Sequence, residues 1–262
     1  DAVLFGATSS PMTPVDGYRS PILTLRQTFD LYANLRPAVG NGIDLLVVRE
    51  NTEGLYSGRE RVEDGGRIAI AERVITAAAC ERVVRQACEL AARRKGRLTL
   101  VHKANVLDKT CGLFRRVGLE VASGFPALMV DELLVDTAAM RLVQDASHFD
   151  VLVTTNLFGD ILSDLAAGLV GGLGLAPSAS IGAARLAVFE PVHGSAPDIA
   201  GQGVADPRAA ILSAALLLDY LGYVTSADHV TRAARATPHT GNTTATTQAI
   251  LFRLQEALAH DG

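Results

Sequence analysis

At residues 43–48 the chain reads Ile43-Asp44-Leu45-Leu46-Val47-Val48, an almost uninterrupted apolar run. Such runs are typical of strands that are covered on both faces, as in parallel sheets. Shorter apolar stretches predict further strands at residues 2–7, 98–101, 127–130 and 151–154. The amphipathic stretch 75–94 between them predicts a long helix. Because strands and helices alternate, we predict an α/β fold with an open, mostly parallel sheet flanked by helices.

Other elements follow from shorter signals. Apolar residues at helical spacing predict a helix over residues 22–33, and Pro37 should stop it. Asp64-Gly65-Gly66 predicts the turn of a hairpin within residues 61–72. Asn156 is predicted to be the N-cap residue of a helix that carries Asp160 and Asp164. The remaining helices are predicted at residues 131–146, 207–221 and 244–259.

Composition bounds the function. Of 262 residues, 48% are hydrophobic and 20% charged, which excludes intrinsic disorder and allows one large domain or two small ones. The net charge of −4 comes without a basic stripe, so nucleic-acid binding is not indicated. No apolar run approaches the roughly 20 residues of a membrane span, and no signal peptide is visible, so we expect a cytoplasmic protein. Three cysteines without CxxC spacing (Cys80, Cys88 and Cys111) indicate free thiols in a reducing compartment.

Two acidic residues stand four positions apart in Gly159-Asp160-Ile161-Leu162-Ser163-Asp164. On a helix they face the same point, where they repel unless a cation lies between them. Mg²⁺ and Mn²⁺ prefer such oxygen ligands. The alternative is a solvated helix face, but the apolar neighbours of the two residues weaken it.

Several other polar residues stand near predicted strand or helix ends. Arg26, Arg36 and Arg49 could bind carboxylates through bidentate guanidinium contacts, although each alone could equally be a surface arginine. Tyr56 and Lys103 could exchange protons with a ligand there. Residues 190–201 predict a rigid polar loop whose small residues let a ligand approach closely. A dinucleotide-binding fingerprint of the G-x-G-x-x-G type is absent.

Five stretches in order along the chain carry a resemblance: LYANLRP (31–37), VVRENTEGLY (47–56), HKANVL (102–107), TTNLFGDILSDLAAGLVGGLGLAPS (154–178) and FEPVHGSAPDIAGQG (189–203). They resemble the signatures of the metal-dependent β-decarboxylating dehydrogenases of isocitrate, isopropylmalate and homoisocitrate. The resemblance covers essentially the whole chain.

The resemblance implies roles for the polar residues. Asp160 and Asp164 would bind Mg²⁺ or Mn²⁺ together with Asp136 of the partner in a homodimer, which a tetramer could extend. Arg26, Arg36 and Arg49 would hold the substrate carboxylates. Lys103, also from the partner, would take the hydroxyl proton as hydride leaves, and Tyr56 would protonate the enolate after CO₂ departs.

The resemblance also implies a cofactor site that is not of the Rossmann type. The residues expected there are Asn105 (which would also face the substrate), Glu190, His193, Gly194, Ser195, Ala196, Pro197, Asp198, Ile199 and Asp206. Asp198 favours NAD over NADP because a carboxylate accepts from ribose hydroxyls and repels a 2′-phosphate. Family members commonly carry Asn where this chain has Asp206.

Substrate choice is expected to lie in the segment before Arg26, Gly17-Tyr18-Arg19-Ser20-Pro21-Ile22. Its polar groups suit an extra carboxylate, which Ser20 could bind, and the pattern is similar to that of the family's homoisocitrate enzymes of lysine biosynthesis. Isocitrate and 3-isopropylmalate remain alternative substrates. A non-catalytic regulatory subunit of a hetero-oligomeric isocitrate dehydrogenase is the alternative from another class, although the catalytic residue types are all present.

The resemblance implies two domains. Residues 1–31 and 171–262 would form a larger cofactor-binding domain, and residues 32–170 a smaller domain with the dimer interface, metal ligands and catalytic residues. Family members begin with a strand, a GDGIGPE-like turn, a helix and another strand. This sequence lacks that unit, so we expect sequence upstream of it to be missing. The connections at 37–42 and 236–242 also look short, as if residues were omitted.

Overall fold

The structure of the protein, a computed structural model, describes residues 1–8, 10–11, 13, 15–184 and 186–260. The strands are β1 (Ala2–Leu4), β2 (Ala33–Gly40), β3 (Ile43–Glu50), β4 (Glu60–Glu63), β5 (Ile68–Ala71), β6 (Arg97–His102), β7 (Met129–Leu134), β8 (Val151–Thr154), β9 (Pro177–Ile181) and β10 (Ala187–Pro191). The helices are α1 (Pro21–Thr28), α2 (Ala77–Ala92), α3 (Thr110–Ser123), α4 (Val135–Asp145), α5 (Asn156–Leu169), α6 (Arg208–Tyr220), α7 (Val224–Ala236) and α8 (Thr243–His260).

Eight of these strands form one sheet in the order β1-β10-β9-β2-β3-β8-β6-β7. The neighbours β1·β10, β3·β8, β8·β6 and β6·β7 run parallel, and the other three pairs run antiparallel. The predicted α/β fold with a mostly parallel sheet is thereby confirmed. The remaining strands, β4 and β5, pair separately as the predicted hairpin.

The apolar run of β3 is covered on both faces, as its sequence predicts. Leu46 and Val48 belong to a buried cluster with residues of α2 and α3, whereas Leu45 and Val47 belong to a second cluster with residues of α4 and α5. Successive residues of a strand point to opposite faces, so one continuous apolar run serves two cores. This packing fixes β3 and α5 side by side.

The predicted helix over residues 22–33 is wrong beyond residue 28. Residues 33–40 form β2 instead, and Pro37 lies inside that strand. Proline is tolerated there because β2 pairs with β9 only through residues 33–35, so one edge of the strand is free at Pro37. Asn41 and Gly42, at φ +52° and +77°, form the two-residue turn into β3.

The bounds of other strands and helices also differ from the predicted bounds. The predicted strand 127–130 and helix 131–146 are β7 and α4, which meet between Leu134 and Val135. The predicted helices at 207–221 and 244–259 correspond to α6 and α8, and residues 237–242 join α7 to α8 continuously. Helix α7 was not predicted, because its buried positions are mostly alanines rather than large apolar residues. Within the described residues no helix is long and apolar enough to cross a membrane.

Candidate active site

Asp160 and Asp164 lie on successive turns of α5, and both carboxylates contact the guanidinium group of Arg36. Arg36 Nη1 donates to Asp160 Oδ1 at 3.0 Å and to Asp164 Oδ1 at 3.2 Å. Arg49 Nη1 also donates to Asp160 Oδ1. The predicted sharing of one point by the two carboxylates is therefore present in the geometry. We call Arg36, Arg49, Tyr56, Asp160 and Asp164 the arginine–carboxylate cluster.

The close approach of α5 to β3 depends on Gly159. A Cβ added there would lie 2.7 Å from Arg49 Cβ, closer than real Cβ contacts allow. The glycine therefore lets α5 lie directly against the Arg49 side chain. The predicted capping role of Asn156 is wrong, because the N-cap is Thr155 and Asn156 is the first helical residue.

Three residues that sequence reasoning missed orient the two buried arginines. Asn156 Oδ1 accepts from Arg49 Nε at 3.0 Å and from Nη2 at 2.6 Å. Asn34 Oδ1 accepts from Arg36 Nε at 2.6 Å, and Ser163 Oγ accepts from its Nη1 at 2.7 Å. Planar guanidinium groups fixed at several donors have little freedom left, so the cluster is preorganised. The only signal in the sequence is that these residues lie within the stretches that carry the resemblance.

Charge inside the cluster is tightly balanced. Burial, together with neighbouring Arg36, lowers the pKa of Arg49 to about 10 although Asp160 opposes the shift. Burial raises the pKa of Asp160, but the Arg49 guanidinium and the Tyr56 hydroxyl outweigh it and hold the pKa below its ordinary value. Asp164 behaves oppositely, since burial and nearby Asp160 raise its pKa despite Arg36. The cluster therefore favours one firmly ionised carboxylate beside one that protonates more readily.

Tyr56 joins the cluster from a short 3-10 turn, Leu55–Ser57, which follows β3. Its hydroxyl donates to Asp160 Oδ2 at 2.6 Å, and the Arg49 guanidinium lies 5.1 Å from its ring centroid. Burial and the hydrogen bond to Asp160 raise the pKa of Tyr56 above its ordinary value, although Arg49 opposes this. The phenol therefore keeps its proton near neutral pH and can donate it.

Arg26 reaches the same region from α1 but pairs with Glu190. Arg26 Nη2 donates to Glu190 Oε1 at 2.9 Å, and both side chains are 10% exposed. Among the described residues no acceptor contacts the buried Arg26 Nε. Burial raises the pKa of Glu190 despite Arg26. Ser20 is the N-cap residue of α1, and its side chain makes no capping hydrogen bond.

Lys103 and Asp136 form a separate unit, the Lys103–Asp136 pair. Lys103 follows β6 directly, Asp136 lies in the first turn of α4, and Lys103 Nζ is 2.8 Å from Asp136 Oδ2. This hydrogen bond lowers the pKa of Asp136. Within the described part of the chain, neither residue hydrogen-bonds or ion-pairs with the arginine–carboxylate cluster. Asn105 is exposed in the turn after Lys103.

The cluster fits a hard divalent cation only in part. Asp160 and Asp164 supply neighbouring anionic oxygens, the ligand type that Mg²⁺ and Mn²⁺ prefer. However, the described residues contain no group of three or more His, Cys, Asp or Glu side chains placed to hold a metal ion. Asp136 pairs with Lys103 instead. One chain therefore offers two carboxylates, and a third would have to come from elsewhere.

A cleft of about 950 Å³ lies between the loop that follows β10 and the start of α8. Six of the predicted cofactor residues line it: His193, Gly194, Ser195, Ala196, Ile199 and Asp206. The other four do not, namely Asn105, Glu190, Pro197 and Asp198. Sequence reasoning missed the lining residues Leu173, Gly174, Thr243 and Thr244.

Asp206 stands in this cleft as one half of an ion pair. Arg208 Nε and Nη2 donate to its carboxylate at 3.0 and 2.7 Å. Burial raises the pKa of Asp206, but Arg208 outweighs it and the net shift is downward. Asp206 is therefore an acceptor only, unlike the asparagine expected at this position. Asp198 is exposed at the edge of the same loop.

Comparisons with known proteins agree on a family. The model of the isocitrate/isopropylmalate dehydrogenase family matches residues 1–251. The chain is 52% identical to the isocitrate/homoisocitrate dehydrogenase of Thermus thermophilus, over 98% of this chain and 80% of that protein. It is 51% identical to the 3-isopropylmalate dehydrogenase of Archaeoglobus fulgidus, over 93% and 75%. The crystal structure of isocitrate dehydrogenase from Methylococcus capsulatus aligns with a TM-score of 0.91 at 43% identity, covering 97% of this chain and 81% of that one.

Proposed function

Since this chain belongs to the isocitrate/isopropylmalate dehydrogenase family, we propose that it oxidatively decarboxylates homoisocitrate to 2-oxoadipate with transfer of hydride to NAD. The family's enzymes are β-decarboxylating dehydrogenases of hydroxyacids that use NAD(P) and a divalent metal and form dimers. The single observation that carries the proposal is the arginine–carboxylate cluster. It places two fixed guanidinium groups, two carboxylates and a protonated phenol around one point.

Anion binding is the first task of this cluster. A hydroxyacid with several carboxylates needs several cations, and Arg36 and Arg49 are fixed in position before any ligand arrives. Arg26 would complete the set, because its buried Nε has an unused donor. Glu190, which now pairs with Arg26, would turn towards the cofactor.

The metal would be held by Asp160 and Asp164 of one chain and by Asp136 of its partner in a homodimer. When bound, the divalent cation and NAD supply charge neutralisation at the developing enolate oxygen and a hydride acceptor. Arg36 and Arg49 keep the two carboxylates of α5 together against their mutual repulsion until then.

Two residues would move protons. Lys103 Nζ, delivered from the partner chain, would accept the proton of the substrate hydroxyl. Tyr56 would donate its phenolic proton to the carbon that loses CO₂, and its raised pKa keeps that proton available. In the free chain Lys103 forms an ion pair with Asp136. Once Asp136 binds the metal, Lys103 would give up its ammonium proton to solvent and act as the neutral base.

The 950 Å³ cleft would hold the adenosine part of NAD. Asp198 would accept hydrogen bonds from the ribose hydroxyls and repel the 2′-phosphate of NADP. Asn105 and Glu190 lie outside this cleft and would approach the nicotinamide end. In the same proposal, residues 1–31 and 171–262 form the cofactor domain, and residues 32–170 form the metal-binding and dimerisation domain.

The choice of homoisocitrate rests on residues 17–26 rather than on overall similarity. The homoisocitrate dehydrogenase of Methanocaldococcus jannaschii is 49% identical to this chain, over 90% of this chain and 72% of that protein. The 3-isopropylmalate dehydrogenase of Archaeoglobus fulgidus is 51% identical, so overall identity does not decide between the two substrates. Ser20 precedes α1, the helix that carries Arg26, and its hydroxyl has no capping role. It is therefore available to bind the distal carboxylate of homoisocitrate. The isopropyl group of 3-isopropylmalate has no atom that could accept a hydrogen bond from it.

The test is NAD reduction by the purified protein with Mg²⁺, comparing kcat/KM for homoisocitrate, isocitrate and 3-isopropylmalate. We expect homoisocitrate to exceed 3-isopropylmalate by about tenfold or more, because a polar site left unpaired discriminates strongly. Preference for 3-isopropylmalate would contradict the substrate assignment. Absence of turnover with all three would favour the regulatory-subunit alternative.

A further inference from the structure

His102 is the last residue of β6 and directly precedes Lys103. Its imidazole is buried, with 4% of the residue exposed. Burial of a polar ring is unfavourable unless its nitrogens are used, so the contacts of both nitrogens are informative.

The Nδ1 atom has one specific contact. It accepts a hydrogen bond from the backbone N–H of Ala104 at 3.2 Å. The side chain of His102 therefore bridges over Lys103 and closes the turn in which Lys103 stands. The carbonyl of Lys103 accepts from the N–H groups of Val106 and Leu107 at 3.1 and 2.9 Å, which fixes the turn from its other side.

The Nε2 atom faces Glu132 without a hydrogen bond. The distance from Nε2 to Glu132 Oε2 is 3.6 Å, and Glu132 is held by Arg115 Nη2 at 2.7 Å. Burial lowers the pKa of His102, although Glu132 opposes this shift. A neutral ring with its proton on Nε2 leaves Nδ1 as the acceptor that the Ala104 contact requires.

We propose that His102 is a positioning residue for Lys103: its Nδ1 fixes the turn after β6 so that Nζ of Lys103 is presented beside Asp136. The inference rests on the proposed function, in which Lys103 is the base. Because lysine has a long, flexible side chain, the position of its amine depends on two constraints. They are the fixed backbone of the turn and the ion pair to Asp136.

Two substitutions at His102 distinguish the contribution of Nδ1 from that of Nε2. Asparagine in His102→Asn places its amide oxygen where Nδ1 stands and keeps the acceptor for Ala104. Glutamine in His102→Gln places its oxygen near Nε2 and loses that acceptor. Glu132→Gln is the control, because its contact with His102 is longer than a hydrogen bond.

The kinetic result expected for His102→Gln is a fall in kcat of about tenfold or more, with KM for the hydroxyacid within about twofold of the wild-type value. His102→Asn and Glu132→Gln should keep kcat within about threefold. Equal kcat losses in both histidine variants, or an unchanged kcat in His102→Gln, would overturn the proposal.

A second readout needs no substrate. The chain has three lysines, Lys95, Lys103 and Lys109, so limited acetylation followed by peptide mass spectrometry resolves each one. The side chain of Lys103 is 24% exposed, whereas that of Lys109 is 91% exposed. We expect the Lys103/Lys109 labelling ratio to change about threefold or more in His102→Gln and to stay near the wild-type ratio in His102→Asn.

The two readouts distinguish the possible failures. A labelling change in His102→Gln together with no turnover by the wild-type protein would support the positioning role and refute the proposed function. A Lys103/Lys109 labelling ratio that is the same in the wild-type protein, His102→Gln and His102→Asn would refute the positioning role whatever the activity.

Discussion

The arginine–carboxylate cluster and the Lys103–Asp136 pair differ in how completely one chain builds them. In the cluster, the side chains of Arg36 and Arg49 are 9% and 2% exposed, and each has several partners. In the pair, the side chain of Asp136 is 64% exposed, and among the described residues its ion-pair partner is Lys103. The chain thus buries and fixes the two arginines of the cluster and leaves the carboxylate of Asp136 exposed. This difference is what the proposed function requires, because the pair would act at the cluster of another chain.

The largest effect should come from Asp164→Asn, which removes one anionic oxygen from the cluster. We expect kcat with Mg²⁺ to fall by about 1,000-fold, because a hard cation loses a charged ligand where negative charge develops. The side chain of Asp164 is 50% exposed, so the free energy of unfolding should change by less than about 1 kcal/mol. Steady-state kinetics at several Mg²⁺ concentrations would measure the first effect, and denaturant unfolding the second.

Asp131→Asn is the matched control for this charge removal, since Asp131 is exposed on β7. It should leave the kinetics unchanged. If Asp164→Asn retained wild-type kcat and the wild-type dependence on Mg²⁺, the assignment of the cluster to a metal would be wrong.

A smaller effect is expected from Gly159→Ala, which tests how closely α5 must approach Arg49. The added Cβ would lie 2.7 Å from Arg49 Cβ, so we expect a loss of about 1–3 kcal/mol in the free energy of unfolding. Gly168→Ala on the same helix meets no atom within 4 Å and should be neutral or stabilise by up to about 1 kcal/mol. Equal values for the two variants in denaturant unfolding would show that the cluster does not depend on this contact.

The smallest effect concerns pH. The pKa of Asp160 is lowered on folding, so its contribution to stability is present above the ordinary value of 3.8 and is lost as pH falls through the lowered pKa. The pKa of Asp164 is raised, so its contribution is present below 3.8 and is lost as pH rises through the raised pKa. Asp160→Asn should therefore flatten the rise of unfolding free energy with pH in the acid range, and Asp164→Asn should steepen it. Slopes that change in the same direction would contradict this account of the cluster.

Sequence patterns predicted the elements whose burial is regular. The run at 43–48 predicted a strand covered on both faces, and the spacing of Asp160 and Asp164 predicted that they share one point. Both inferences depend only on the periodicity of local structure. The roles of Asp136, Lys103 and the cofactor loop came instead from the resemblance and remain predictions.

What the sequence did not predict depends on tertiary neighbours. Pro37 is accommodated within β2 because the pairing with β9 stops at Leu35, which no local pattern reveals. The orientation of Arg36 by Ser163 and of Arg49 by Asn156 joins residues that are 127 and 107 positions apart in the chain. The pairing of Arg26 with Glu190 across 164 residues is of the same kind.

The central claim, that one site is built from the cluster of one chain and the Lys103–Asp136 pair of another, is tested most directly with mixed dimers. Asp164→Asn and Lys103→Met chains, each inactive alone, would be co-expressed with different tags, and the isolated mixture assayed. If the halves come from different chains, each hybrid dimer holds one intact site, and random pairing predicts about one quarter of wild-type activity. If both halves act within one chain, every site carries one defect, and the mixture would stay as inactive as its parents.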